Sequence, residues 1–191
     1  IQSVKQPGVL VELGSGGSYL NQSVPDVITS DVVDGVADMV IDARKLPFED
    51  GSIRALLLTH VLHHIPELEK FFAEADRTLA PGGVISMIEV AHTPFARFFF
   101  SNFHHEPYVD SAKDWNFSQS HAMMDSNQAL SWMVFVRDRE RFERLFPTLK
   151  IEAFGYMPWF TYLISGGVTM KDLIPGFLVK PLIAAEWLLT P

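Results

Sequence analysis

The stretch Val9-Leu10-Val11-Glu12-Leu13-Gly14-Ser15-Gly16-Gly17-Ser18 constrains the chain more than any other. Val9 to Leu13 is a short apolar run rich in β-branched residues. That is the pattern of a strand buried on both faces of a parallel sheet. Gly14, Ser15, Gly16 and Gly17 then break it with residues that tolerate unusual φ and close backbone approach. A loop without bulky side chains, at the carboxyl end of a buried strand, lets a ligand lie against bare backbone. Open α/β sheets bind ligands at that edge. Glu12 is the odd residue, because a carboxylate at the tip of an apolar strand is costly without a partner.

The glycine spacing sorts among nucleotide classes. The dinucleotide fingerprint G-x-G-x-x-G fails, since counting from Gly14 its third glycine falls on Tyr19. A Walker loop fails for want of Gly-Lys-Ser/Thr. What remains is acidic-x-Gly-x-Gly, Glu12 to Gly16, which resembles the first motif of the class I S-adenosylmethionine (SAM) dependent methyltransferases. The resemblance implies that the backbone of Leu13, Gly14, Ser15 and Gly16 faces the methionine part of SAM, and that Glu12 helps hold its amino group. Ser18 stands where that motif usually carries a third glycine. Taken alone, the stretch reads equally well as a tight β-to-α turn.

Composition narrows the classes. The chain has 191 residues, 48% hydrophobic and 20% charged, enough for one α/β domain with a sizeable core. Cysteine is absent, which excludes disulfides, thiolate metal sites and cysteine-nucleophile chemistry. The formal net charge of -8 disfavours nucleic acid as substrate, because a phosphate backbone needs a basic surface. There is no signal-peptide pattern and no apolar run long enough to span a bilayer, so a cytoplasmic location is expected. The chain starts at Ile1, so the initiator end is expected to be missing or trimmed.

Further elements follow in order. A short helix over about Ser18 to Ser23, stopped by Pro25, leads to a second strand, Asp26 to Asp31. Asp31 lies 17 positions after Gly14, a spacing that suits an acceptor for both ribose hydroxyls. The plainer alternative is a turn aspartate ahead of Asp34-Gly35. A third strand, Asp38 to Ile41, precedes Asp42-Ala43-Arg44-Lys45-Leu46-Pro47-Phe48. The pattern D-A-x-x-L-P-F again resembles the methyltransferases, and implies that this loop wraps the adenine. Asp42 would take the exocyclic amine, the Ala43 amide with Arg44 beside it would meet the ring, and Val32 or Leu46 would supply an apolar face.

The fourth strand, Ile53 to Thr59, runs into Thr59-His60-Val61-Leu62-His63-His64-Ile65. The resemblance places this segment beside the methionine moiety, facing the methyl acceptor, with His60 touching the cofactor. Three histidines in five residues invite a metal reading, but no carboxylate has clear ligand spacing, and no metal is expected. A helix from Pro66 to about Leu79 carries the apolar stripe Leu68, Phe71, Phe72, Ala75 and Leu79, which is core. Ala80-Pro81-Gly82-Gly83 ends it, and Val84 to Val90 is the fifth strand. The resemblance covers residues 8 to 91.

Residues 93 to 136 read as an inserted cap, with Phe95, Phe98, Phe99, Phe100 and Phe103, then His104-His105-Glu106-Pro107-Tyr108. A charged helix from Arg137 to Phe146 and two strands, Leu149 to Gly155 and Trp159 to Ile164, complete the family pattern. The apolar tail, Leu173 to Leu189, is interrupted by Pro175 and Pro181, so it docks on the domain or touches a membrane surface without spanning one.

The expected architecture is a single Rossmann-like α/β domain over residues 1–191. It is a three-layer αβα sandwich whose seven-stranded sheet has order 3-2-1-4-5-7-6, strand 7 antiparallel and a cap after strand 5. The expected function is SAM-dependent methyl transfer to the oxygen or nitrogen of an apolar or aromatic small molecule, releasing S-adenosylhomocysteine. Displacement at a sulfonium methyl needs alignment and dryness more than a fixed catalytic group. If the acceptor is a hydroxyl, His60, His63, His64, His104 and His105 are the candidate bases. The alternatives are a non-catalytic SAM- or partner-binding module and an aminopropyl transferase on the same cofactor fold.

Overall fold

The computed structural model describes residues 7–17, 20–118, 125–155 and 175–189. The chain divides into two compact units, Ile1–Lys150 and Ile151–Pro191.

The first unit is built on five strands: β1 (Val9–Leu13), β2 (Val27–Asp31), β3 (Met39–Val40), β4 (Ile53–Thr59) and β5 (Leu79–Ile88). They form a parallel sheet in the order β3-β2-β1-β4-β5. Leu10 pairs with Val27 on one side and with Ala55 on the other, so β1 is flanked on both edges. The apolar runs are therefore the buried centre: Val11, Ala55 and Leu56 have no exposed surface. From β1 the chain winds outward one way through β2 and β3, and from β4 the other way through β5. The order reverses between β1 and β4, and open α/β sheets bind ligands at the carboxyl ends beside such a reversal.

The first five strands thus stand in the expected order, with small shifts. The helix after β1 is one 3₁₀ turn, Leu20–Gln22, and Leu20 packs with Val24 and Val84 against Leu10, Val27, Ala55 and Leu57. Helix α1 covers Leu68–Thr78 rather than Pro66 to Leu79. Ile65, ahead of the proline, is extended (φ −83°, ψ 112°), as a residue before proline must be. Leu68, Phe71, Phe72 and Ala75 are buried, but Leu79 already belongs to β5. That strand starts earlier than expected: Leu79 pairs with Ile53, the register slips, and Val84 pairs with Ala55. Gly83 sits in the slipped segment, where a β-carbon would come 2.9–3.2 Å from the carbonyl oxygens of Ala80, Ile53 and Arg54. The Pro-Gly-Gly run lets the strand bulge against its neighbour.

After β5 come α2 (Pro94–Asn102), an irregular stretch, α3 (Leu130–Trp132) running into a π turn (Met133–Arg137), and α4 (Arg139–Leu145). Thr93 caps α2 by accepting from the Ala96 N–H at 3.0 Å. Phe142 meets Phe72 edge to face at 5.1 Å, and Arg141 reaches Glu69 at 2.6 Å, so α4 packs on α1.

Two expectations about the carboxyl end change. Residues 149–155 form no strand: their backbone pairs with no strand among the described residues, and an unpaired strand leaves its ladder groups unmet. The expected strand Trp159 to Ile164 lies outside the described residues, as does the start of the tail. In the second unit Pro181 does not interrupt the tail. It sits inside a continuous helix α5, Gly176–Leu189, which it deprives of one backbone donor without ending it. Phe177 on α5 is 78% exposed. No described helix is long and apolar enough to cross a membrane.

Candidate active site

Each strand of the switch delivers its carboxyl-end residues to one edge. Beyond β1 the chain turns at Gly14 (φ +63°) and Gly16 (φ +50°), conformations glycine adopts without strain. The loop is tied down from β2. The Ser15 N–H donates to the Ser30 carbonyl at 2.8 Å, the Ser30 N–H to Ser15 Oγ at 3.0 Å, and Ser30 Oγ to the Glu12 carbonyl at 2.7 Å. Among the described residues, a β-carbon added at Gly16 or Gly17 would meet nothing within 4 Å, so they leave the loop's outer face open. Glu12 and Leu13 are buried at its base.

Asp31 has a role the sequence did not show. One carboxylate oxygen accepts the Gly16 N–H at 3.0 Å and the other the Val33 N–H at 3.0 Å. It orients the glycine loop. Val32 beside it is 48% exposed. The next loop is also braced. Asp42 accepts the Arg44 N–H at 2.9 Å and a fork from the Arg44 guanidinium, which reaches on to Glu67 at 3.1 Å. The Arg44 side chain holds the Asp42 carboxyl below its ordinary range against the opposing effect of burial. Ala43 and Leu46 are buried.

The histidine segment separates into different roles. His60 follows β4 with left-handed backbone (φ 56°) and its N–H bonded to the Ile88 carbonyl; the residue is exposed, yet the burial its ring does have lowers its pKa. Such backbone is uncommon in a non-glycine residue and gathers at functional sites. His63 is buried, with Nδ1 2.6 Å from Glu89 Oε2 and Nε2 3.5 Å from Glu106 Oε2. Burial alone would push its pKa down, but the Glu106 and Glu89 carboxylates outweigh that and raise it to about 9. Glu106 answers in kind: burial opposes its ionisation, yet His63 and His64 bring it down to about 2. At neutral pH His63 therefore carries a proton and is not a free base. His64 Nε2 lies 3.5 Å from Glu106 Oε1, and burial together with the His63 charge keeps its pKa low. The largely exposed His105 ring also stands 3.5 Å from Glu106 Oε1. His104 Nδ1 accepts the Glu106 N–H at 3.2 Å, and the His104 and His105 rings stack at 4.5 Å.

The insertion thus reaches the histidine segment, but by contact rather than across a gap. Besides Glu106, the Phe117 N–H donates to the Pro66 carbonyl and the Asn127 N–H to the His63 carbonyl. Two cavities of about 410 and 380 Å³ are lined by insertion and neighbouring residues such as His92, Arg97 and Phe98, or Val109, Trp115 and Asn127. Neither is lined by the glycine loop or by His60–His64. Ion pairs and backbone bonds thus join the insertion to the histidine segment.

Sequence reasoning missed Glu89 and His92. Glu89 Oε1 accepts both the Val61 N–H (2.9 Å) and the Leu62 N–H (2.7 Å), fixing the turn that carries the histidines. An acidic residue just past the apolar run of β5 was the available signal. His92 Nδ1 lies 2.7 Å from the Tyr108 hydroxyl, and its ring stacks on Trp132 at 4.0 Å. Burial and the charge of Asp110 push the Tyr108 hydroxyl up to about 12.

Residues 13–87 match a family described as a methyltransferase domain. The chain is 31% identical over 77 residues to the ubiquinone/menaquinone biosynthesis C-methyltransferase UbiE of Brucella canis, spanning 40% of this chain and 29% of that one. It is 37% identical over 51 residues to norajmaline N-methyltransferase of Rauvolfia serpentina, 27% of this chain and 18% of that one. The chain thus spans less than a third of the length of these curated relatives. A solved SAM-dependent methyltransferase of Thermotoga maritima, described as a possible histamine N-methyltransferase, is 21% identical with a TM-score of 0.45 over 53% of this chain and 54% of that one. Sheet order and family match agree on the class: a Rossmann-like α/β fold. Over residues 13–87 the chain is similar to the SAM-dependent methyltransferases.

Proposed function

We propose that this chain binds SAM along the carboxyl edge of β1, β2 and β4 and transfers its methyl group to a small-molecule acceptor. The observation that carries the reading is the open glycine loop at the β1/β4 switch, held in place by Asp31. Small residues there leave backbone free for the methionine moiety, with Glu12 at its base. Asp31 keeps lone pairs beyond those used by Gly16 and Val33, which supports a ribose role. Exposed Val32 offers the adenine an apolar face. Asp42 enters already forked to Arg44, so the adenine amine has to share it, and the Ala43 backbone is the firmer contact.

His60, exposed at the end of β4 next to the loop's partner strand, is the histidine best placed to touch the sulfonium region or a bound acceptor. The aromatic content of residues 95–117 favours an apolar or aromatic acceptor. The named relatives include a C- and an N-methyltransferase, so the acceptor atom is read from the product rather than from the family.

Isothermal titration with S-adenosylhomocysteine is the first test. Binding, with none for NAD, supports the reading; no heat and no thermal shift at millimolar ligand overturns it. S-adenosylhomocysteine formation from SAM with a metabolite extract then separates an enzyme from a binding module.

A further inference from the structure

Glu106 gathers imidazoles at the spacing of metal ligands. His63 Nε2 and His64 Nε2 each lie 3.5 Å from a different Glu106 oxygen. That is long for a hydrogen bond between such groups. It is close to the roughly 3.3–3.5 Å that separates two ligands on a tetrahedral ion with bonds of about 2.0–2.2 Å. One nitrogen from each ring and one carboxylate oxygen fall within 4.8 Å of one another.

The far side of each ring is already occupied. His63 Nδ1 is 2.6 Å from Glu89, and His64 Nδ1 is 3.4 Å from the Asp125 carbonyl. Metal-binding histidines carry this kind of partner on the second nitrogen, which fixes the tautomer and turns the first nitrogen to the ion. A further observation is independent of the spacing. Gln128 touches Glu106 Oε2 through Nε2, while its Oε1 is buried with no hydrogen-bond partner among the described residues. A polar oxygen is left over beside the cluster, where a cation or its water would satisfy it.

We propose that His63, His64 and Glu106 hold a divalent transition-metal ion, Zn²⁺ by preference, with Glu89 orienting His63 from behind. Two imidazoles and one carboxylate suit zinc and its borderline neighbours, whereas Mg²⁺ and Ca²⁺ want oxygen ligands. Three protein ligands leave a coordination position open. The ion would replace the Nε2 proton of His63 and release it to solvent. His63 and His64 follow β4, while Glu106 follows α2, so the ion staples the insertion to the carboxyl edge of the sheet. The site does not depend on the methyl-transfer reading.

The test uses the untagged 191-residue chain, stripped with chelator and titrated with Zn²⁺ by calorimetry and thermal shift. A single equivalent bound at micromolar or tighter affinity is expected, with a melting temperature raised by Zn²⁺, lowered again by EDTA, and unmoved by Mg²⁺ or Ca²⁺. Glu106→Gln and His64→Ala should keep the native circular dichroism and lose the Zn²⁺ shift. Glu89→Gln should weaken binding about 10–100-fold. No Zn²⁺ binding at submillimolar metal overturns the site, and so does binding unchanged in both ligand variants. Should both variants unfold, Co²⁺ added to the native chain decides: an intense visible band of low-coordinate cobalt supports the site, and its absence overturns it.

Discussion

Gly14 and Val61 touch across the switch between β1 and β4: a β-carbon at Gly14 would stand 2.6 Å from Val61 Cγ2. Gly14 also has φ +63°. The glycine is therefore required twice, by conformation and by the side chain packed on it. Gly14→Ala should destabilise the fold by roughly 1–2 kcal/mol through the left-handed conformation, plus about 1–3 kcal/mol of overpacking. In a Val61→Ala background only the first part should remain. Urea denaturation of the four chains of this cycle measures the difference. Equal losses in both backgrounds would mean that Val61 gives way freely.

Glu89 should count for more than its place at a strand end suggests. Its carboxylate accepts two backbone N–H groups and a protonated histidine. Glu89→Gln keeps the shape and removes the charge, so about 1.5–3 kcal/mol of stability should go, the scale of a hydrogen bond to a charged group. A denaturant midpoint that does not move would show the turn to be held by packing alone.

The sheet was legible because its signals are local. Period and composition mark Val9–Leu13, Val27–Asp31 and Ile53–Thr59, and glycines and prolines punctuate them. Glu12, Asp31 and Asp42 stand at strand ends, so their spacing from Gly14 placed them on one edge. The histidine cluster was not legible in the same way. His63 and His64 are adjacent in sequence, but Glu106 reaches them from 42 positions beyond His64, through a stretch with no periodic pattern. Glu89 lies one residue past the end of β5, and only the parallel pairing of β4 with β5 sets it beside Val61. Pro181 misled for the opposite reason: a residue that usually ends a helix lies inside one here.

Asp31 has two separable jobs, and a pair of substitutions separates them. Asp31→Asn keeps an oxygen for one of the two loop N–H groups, while Asp31→Ala keeps none. Loss of a charge-assisted bond is worth roughly 1.5–3 kcal/mol, so affinity for S-adenosylhomocysteine should fall by about tenfold or more in both variants. Stability should fall further in Asp31→Ala than in Asp31→Asn. Titration calorimetry alongside thermal melts reads the two effects. Unchanged affinity in both would leave Asp31 as a loop brace and nothing else.

The last prediction concerns the base. His63 is buried and protonated between two carboxylates, so it cannot take a proton from an acceptor at neutral pH. His64 turns its two nitrogens toward Glu106 and Asp125. His60 is the exposed histidine of the segment, just past the carboxyl end of β4, which borders the switch. If the acceptor loses a proton during transfer, His60→Ala should lower turnover by about 10²–10⁴-fold, the usual worth of a positioned base. Affinity for S-adenosylhomocysteine should change by less than about tenfold. His63→Ala should act differently, lowering the melting temperature before it lowers turnover, since it opens a buried site and strands Glu89 and Glu106. Both variants need a circular dichroism spectrum, a melt, a titration with S-adenosylhomocysteine and a turnover assay on the acceptor found by extract screening. Normal turnover in His60→Ala would show that alignment alone carries the transfer, and a binding loss that equals the rate loss would make His60 a cofactor ligand instead.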